Sequence, residues 1–142
     1  MRIKDVMTKN VTTVTPEDTI ETVAKLMQQY DIGSIPVCEG QNVVGIITDR
    51  DIVLRCVSNG EDCKRLVKDY MTKNPVTTDP SMEISNAVNM MSEKQIRRLP
   101  VVENNCISGM VALGDLAVAP DSKDEAGNAL SNISFPSKNS MS

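Results

Sequence analysis

Displaced by 64 residues, the chain falls onto itself: Lys4-Asp5-Val6-Met7-Thr8-Lys9-Asn10 lands on Lys68-Asp69-Tyr70-Met71-Thr72-Lys73-Asn74. The register runs on without a gap, carrying Pro16 onto Pro80, Ile20 onto Ile84, Met27 onto Met91, Ile32 onto Ile96, Pro36-Val37 onto Pro100-Val101, Gly45 onto Gly109 and Asp51 onto Asp115. Chance does not produce such a register, so the fold is confined to two copies of one supersecondary unit. A chain of 142 residues has room for two intimately packed units but not for a catalytic domain beside a regulatory one. The copies are assigned to residues 1–60 and 64–120, and residues 121–142 to a flexible C-terminal tail with one short helix around Ala126, Ala129, Leu130 and Ile133.

Each copy carries the same local signals. Thr15-Pro16 and Asp79-Pro80 supply a cap followed by proline, and helical spacing then relates Ile20, Val23, Ala24 and Met27 in one copy and Ile84, Ala87, Val88 and Met91 in the other. Two β-branched runs follow, Ile35–Cys38 with Val43–Ile47 and Leu99–Val102 with Ile107–Val111, each pair broken by turn residues, and so read as hairpins. A second helix follows, from Asp49 to Val57 and from Gly114 onwards, while Val11–Val14 and Val76–Thr78 read as short leading strands. The expected fold class is therefore α+β: two pseudo-symmetric β-α-β-β-α repeats packed sheet to sheet, because neither small sheet can cover its own apolar face.

Composition narrows the functional classes. Aromatic residues are 2% of the chain, so the core is aliphatic and few rings are present to stack on bases. A net charge of −4 argues against a nucleic-acid partner, whose binding rests on phosphate neutralisation. No apolar run approaches the roughly 18 residues of a membrane span, and Met1-Arg2-Ile3-Lys4-Asp5 does not resemble a secretion signal; the expectation is a cytoplasmic protein with no membrane partner. Histidine is absent, and Cys38, Cys56, Cys63 and Cys106 are dispersed, so no metal site is expected and the cysteines read as reduced thiols.

Catalytic signatures are likewise missing: there is no histidine, no Gly-x-Ser-x-Gly, no Walker loop and no Gly-x-Gly-x-x-Gly. Attention falls instead on Gly45-Ile46-Ile47-Thr48-Asp49-Arg50-Asp51-Ile52, where a buried strand runs into a helix start. Thr48 stands where its hydroxyl can join helix amides around a phosphate, and Asp51 can accept both hydroxyls of a ribose. Thr-x-x-Asp is equally the spacing of a plain capping arrangement, and the two roles are compatible. The second copy reads Gly109-Met110-Val111-Ala112-Leu113-Gly114-Asp115, keeping the carboxylate without the hydroxyl, which favours a role for Asp115 beyond capping.

The doubled pattern of Asp-x-Met-Thr, then Ile-Gly-Ser-Ile-Pro-Val or Ile-Arg-Arg-Leu-Pro-Val, then Gly-x-x-Thr-Asp-Arg-Asp or Gly-x-x-Ala-Leu-Gly-Asp resembles a tandem pair of cystathionine-β-synthase (CBS) domains, the Bateman module, over about residues 1–120. The resemblance implies two clefts for adenosine-containing ligands such as AMP, ADP, ATP or S-adenosylmethionine, regulation rather than catalysis, no cofactor, and assembly as a homodimer. Carried over residue by residue, one cleft would use Asp51 for the ribose and Thr48 for phosphate, Asp69, Tyr70, Ile96 and Pro100 on the adenine side, and Arg97 and Arg98 towards the phosphates. The other would use Asp115 with Asp5, Val6, Ile32, Gly33, Ser34 and Pro36; Ala112 removes its hydroxyl and Gly33-Ser34 offer no cation, so it is expected to be weak or empty. Two rival readings stand beside this one: a structural or protein-interaction module with vestigial clefts and an unidentified protein partner, and a thiol or metal sensor built on the four cysteines.

Overall fold

In the computed structural model, which describes residues 1–117 and 123–134, the chain divides into two units of the same design. The first consists of Asn10–Val76 and Asn104–Ile107. Its helix α1 (Ile20–Tyr30) is capped by Thr19, whose Oγ1 accepts from the Thr22 amide at 3.2 Å. Sequence reading put the start one turn earlier. Pro16 instead lies in a turn in which the Asp18 amide donates to the Thr15 carbonyl (3.1 Å) and the Thr15 amide to Asp18 Oδ2 (2.8 Å); its fixed φ suits the second position of a turn as well as the first of a helix. Ile20, Val23 and Met27 are buried as expected, but Ala24 is exposed and the partly buried Leu26 packs on the core instead.

Strands β1 (Ser34–Glu39) and β2 (Asn42–Thr48) form an antiparallel hairpin, reversed at Gly40 with φ +62°. The expected leading strand shrinks to one parallel bridge, Val14 with Val37, in which the Val14 amide donates to the Pro36 carbonyl and the Cys38 amide to the Val14 carbonyl. Extending that ladder either way needs an amide hydrogen from Pro16 or Pro36, and proline has none. A short strand β3 (Thr72–Lys73) pairs with β2 on its other side, Thr72 opposite Ile46. Beyond Thr48 the expected single helix is three segments: an α turn α2 (Asp49–Asp51), a π turn (Ile52–Cys56) in which the Val57 amide reaches the Ile52 carbonyl, and a 3₁₀ turn (Val57–Asn59) ended by Gly60 at φ 68°. Asn104–Ile107 belong to this unit through Cys106, which pairs with Asn42.

The second unit is the described part of Met1–Lys9, Thr77–Glu103 and Ser108–Ser142. Helix α3 (Ile84–Lys94) buries Ile84, Ala87, Val88 and Met91, all four expected. Strands β4 (Arg98–Glu103) and β5 (Cys106–Ala112) are joined by Asn104 and Asn105, both left-handed at φ 52° and 64°, and Thr78 makes a single bridge to Val101 with Pro80 and Pro100 in the limiting positions. Helix α4 (Leu113–Ala117) follows directly. The tail contains helix α5 (Lys123–Ser134), held on α3 where Gln95 Nε2 donates to the Asn132 carbonyl (3.1 Å) and Asn132 Nδ2 to Ser92 Oγ (2.8 Å). Ala129 is buried and Leu130 exposed, while the side chain of Ala126 and residues 118–122 and 135–142 lie outside the described residues.

Neither unit is made from one repeat. The first takes Val67–Lys73 from the second copy: the Val67 amide donates to the Asp18 carbonyl (2.8 Å) and the Lys68 amide to the Pro16 carbonyl (3.1 Å). The second takes the equivalent Ile3–Thr8 from the first copy, with the Ile3 amide on Met82 (2.9 Å) and the Lys4 amide on Pro80 (3.0 Å). Each borrowed Met-Thr then presses on a hairpin glycine. A Cβ on Gly45 would lie 2.6 Å from Met71 Sδ and 2.9 Å from the Thr72 carbonyl, and one on Gly109 would lie 2.8 Å from both Met7 Sδ and the Thr8 carbonyl.

The first unit's core gathers Val14, Ile20, Val23, Met27, Ile35, Val37, Ile47, Cys56, Val67 and Tyr70. Tyr70 is 4% exposed and its Oη has no hydrogen-bond partner among the described residues. Burial, and after it the nearby Glu61 carboxylate, hold the phenol well above the usual tyrosine range.

Two predictions follow from this packing. Gly45→Ala forces a side chain against backbone and should cost about 1–3 kcal/mol in chemical denaturation, whereas Gly114→Ala in α4, where a Cβ meets nothing within 4 Å, should add up to about 1 kcal/mol. Because the folded-state pKa of Tyr70 is raised, its contribution to stability is complete below the unfolded value near 10 and is lost as pH climbs above it. With Tyr30→Phe leaving a single phenol, near-ultraviolet titration should show ionisation only as the chain unfolds, and Tyr70→Phe should make the alkaline loss of stability less steep.

Candidate functional site

The carboxyl end of β2 sets the geometry. Ile47 is fully buried and anchors the strand, so the next residue leaves the core as the chain turns into α2. Thr48 and Asp51 close a reciprocal capping box: the Asp51 amide donates to Thr48 Oγ1 and the Thr48 amide to Asp51 Oδ2, both at 3.0 Å. Capping is therefore fully realised at this motif. The arrangement still leaves chemistry unused, because Thr48 Oγ1 accepts a bond and retains its own O–H to donate, and Asp51 Oδ1 takes no part in the box. The Asp51 side chain is 14% exposed, and Arg55 Nη2 stands 3.7 Å from Oδ1.

The hairpin start lies alongside. Ser34 is directly opposite Thr48 in the β1–β2 register, and the Asp49 amide donates to the Gly33 carbonyl at 2.9 Å. A Cβ on Gly33 would lie 3.1 Å from Asp49 Oδ2, so a side chain there would need the exposed Asp49 carboxylate to shift. Ile32 is half-buried and Pro36 buried in the same unit. Sequence reading assigned Ile32, Gly33, Ser34 and Pro36 to the partner set of Asp115; all four lie in the unit of Thr48 and Asp51, with Ser34 opposite Thr48 and Gly33 bonded to Asp49.

Two other residues of the first expected cleft belong here. Asp69 is exposed at the end of a 3₁₀ turn, Val67–Asp69. Tyr70 was expected to line the adenine, but its ring is packed in the core, so what it presents outward is its carbonyl, which accepts a 2.8 Å hydrogen bond from Arg55 Nη1. Arg55 was not among the expected site residues. The acid–base pair at positions i and i+4, Asp51 and Arg55, was the sequence signal that marked it.

The second unit repeats the frame with different side chains. The Ala112 amide donates to Asp115 Oδ2 at 2.9 Å, and the Leu113 amide to the Arg97 carbonyl at 2.8 Å, the counterparts of the Thr48–Asp51 and Asp49–Gly33 bonds. Asp115 thus still caps a backbone amide without a hydroxyl partner, which removes the sequence argument that its retention needs a further role. Arg97 and Arg98 are exposed, Ile96 is half-buried and Pro100 is buried, all in the unit of Asp115. Asp5 uses Oδ2 to accept from the Arg2 amide (2.8 Å), and Val6 is half-buried beside it.

The cysteines do not converge. Cys38 and Cys56 are buried, Cys106 is half-buried and Cys63 is exposed. Burial pushes the Cys38 thiol up; Cys63 is raised too, by local desolvation first and then by the carboxylates of Glu21 and Asp62. Among the described residues no group of three cysteine or carboxylate side chains is placed to hold a metal ion, and no helix is long and apolar enough to cross a membrane.

Comparison with known proteins agrees with this frame. The family model described as "CBS domain" matches twice, at residues 3–58 and 67–121. The chain is 46% identical over 132 residues to the CBS domain-containing protein YhcV of Bacillus subtilis, covering 93% of this chain and 94% of that one. It is 31% identical to hypoxic response protein 1 of Mycobacterium tuberculosis over 80% of this chain and 81% of that one. The crystal structure of Hypoxic Response Protein I with two coordinated zinc ions superposes with a TM-score of 0.77 at 30% identity, covering 84% of this chain and 98% of that one. CBSX2 in complex with AMP shares the fold with a TM-score of 0.74 at 23% identity, over 87% of this chain and 98% of that one. With both copies of the repeat matched and the capping Asp on the same frame in each, the chain belongs to the CBS domain family as a tandem pair.

Proposed function

We propose that this chain is a regulatory module that binds an adenosine-containing nucleotide at the Thr48–Asp51 end of β2, without catalysing a reaction on it. The observation that carries the reading is the state of the Asp51 carboxylate. One oxygen is tied to the Thr48 amide, and the other faces the Arg55 guanidinium at 3.7 Å but makes no hydrogen bond among the described residues, on a side chain only 14% exposed. A carboxylate so held accepts from the two hydroxyls of a ribose, and the free O–H of Thr48 donates to a phosphate oxygen. The equivalent place at Asp115 has no hydroxyl, so the Asp51 place is the competent one. AMP, ADP, ATP and S-adenosylmethionine all carry the required ribose, and AMP is the ligand seen on the same fold in CBSX2.

One observation favours the interaction-module reading. Val53, Leu54 and Val57, on the helical segments that follow Asp51, are 54%, 49% and 62% exposed. Apolar side chains so placed suit contact with another protein, a second copy of this chain included. The two readings separate in a melting experiment. Saturating ligand, at about a hundred times its dissociation constant, should add roughly 2.7 kcal/mol and raise the melting temperature by roughly 5–10 °C. Asp51→Ala should abolish that rise and Asp115→Ala should leave it. A parent chain whose melting temperature is unmoved by AMP, ADP, ATP and S-adenosylmethionine would hand the assignment to the interaction module.

A further inference from the structure

Arg55 makes two bonds of different kinds to two different parts of the first unit. Its Nη1 donates to the Tyr70 carbonyl at 2.8 Å, a contact between residues fifteen apart in the chain. Its Nη2 faces Asp51 Oδ1 at 3.7 Å, close enough for charge attraction but longer than a hydrogen bond. The first contact has a fixed base, because the Tyr70 ring is seated in the core and its carbonyl cannot wander. An exposed acid–base pair one helical turn apart usually contributes little, since the long cation swings free. Here the cation is tethered at its far edge, and the carboxylate it faces is already held through Oδ2 by the Thr48 amide.

The result is a carboxylate fixed at three points, one oxygen of which makes no hydrogen bond among the described residues. Oδ2 is held by the Thr48 amide, the helix start holds the Cα, and the guanidinium lies beyond Oδ1 without consuming its hydrogen-bonding capacity. Two adjacent hydroxyls need such a fixed acceptor more than a phosphate does, because a diol has to meet it with both donors aligned, whereas a phosphate accepts from any donor within reach. The π turn from Ile52 to Cys56 carries Arg55, a departure from helical geometry of the kind that re-aims one side chain. In the second copy the residue at the repeat-equivalent position is Ala119, which is not a cation.

We propose that Arg55 is a positioning residue that sets the sugar selectivity of the site: seated on the Tyr70 carbonyl, it orients Asp51 so that the chain prefers ribonucleotides to 2′-deoxyribonucleotides. The inference rests on the nucleotide reading above and adds to it a selectivity and the residue that sets it. The test is calorimetric titration of the full chain with AMP and with 2′-deoxy-AMP, for the parent, Arg55→Met and Arg55→Lys. The parent should prefer AMP by about tenfold or more, the scale of a charge-assisted hydrogen bond gained with the 2′-hydroxyl. Arg55→Met should cut the preference to below about threefold by weakening AMP, leaving 2′-deoxy-AMP within about twofold of the parent. Arg55→Lys should fail to restore it, because a single ammonium cannot span the Tyr70 carbonyl and Asp51 together.

A merely structural arginine would weaken both ligands alike, and one that touches the phosphate would do the same; either outcome overturns the proposal. So does an Arg55→Met chain that keeps the full preference, or full rescue by lysine, which would make charge alone sufficient. A parent chain that binds AMP without preferring it to 2′-deoxy-AMP removes this inference and leaves the nucleotide reading standing. A parent that binds neither removes both. Should Arg55→Met fail to fold, the lysine variant decides between the same outcomes.

Discussion

Everything in this molecule depends on a Met-Thr dipeptide lying across a glycine. At Gly45 and at Gly109 the space that a side chain would take is already filled by a methionine sulfur and a threonine carbonyl. The absence of a Cβ lets β3 approach β2 closely enough to pair, and it lets Thr8 bridge to Met110. Methionine is suited to that place because its unbranched, polarizable chain conforms to the pleat where a branched residue would not. The dipeptide always comes from the other repeat. Val67 and Tyr70 accompany Met71 into one core, and Ile3 accompanies Met7 into the other unit, so each hydrophobic core is closed by residues of the other copy of the repeat.

That exchange also supplies the candidate site. The Tyr70 carbonyl reaches Arg55 only because the Val67–Lys73 segment has crossed into the unit that holds Asp51. The repeat is thus symmetric in frame and asymmetric in chemistry. The same backbone bonds link Asp49 to Gly33 and Leu113 to Arg97, yet one frame carries a threonine, a capping Asp and Arg55, and the other an alanine, a capping Asp and the Arg97-Arg98 pair. Duplication followed by divergence at a few positions leaves the fold intact, because those positions lie at the ends of strands and not in the aliphatic core.

The hairpins, the helices Ile20–Tyr30 and Ile84–Lys94 and the tail helix were legible because they rest on local signals: β-branched runs, helical spacing and turn residues such as Gly40 and Asn104-Asn105. Errors fell where two local rules share one residue type. Proline after Thr15 or Asp79 announces a helix start or a turn with equal force, and the turn prevailed at both places: the helices start a few residues on, after Thr19, which caps with its hydroxyl, and after Glu83, which makes no side-chain cap bond. The leading strands were overread for a related reason: proline lies on both partners, and only one bridge escapes its missing amide. Within the site, Thr48 and Asp51 were found by their spacing, whereas Tyr70, expected on the adenine side of a cleft, has its ring in the core, because nothing local marks a tyrosine as core.

The helix and hairpin of each copy, the doubling of the unit, the aliphatic core and the capping motif at the end of β2 were determined by the sequence alone, since each follows from neighbours in the chain or from a residue's repeat partner. Tertiary structure decided the rest. It chose which copy's Met-Thr covers which glycine, buried the Tyr70 ring while leaving its carbonyl to Arg55, and set Gly33 and Ser34 beside Thr48 and Arg97 beside Leu113. Two equivalent segments offer the same hydrogen bonds and the same methionine to either glycine, so local preference cannot choose between them. The choice falls to the packing of whole cores, in which close fit of Val67 and Tyr70 in one unit and of Ile3 in the other decides the partner.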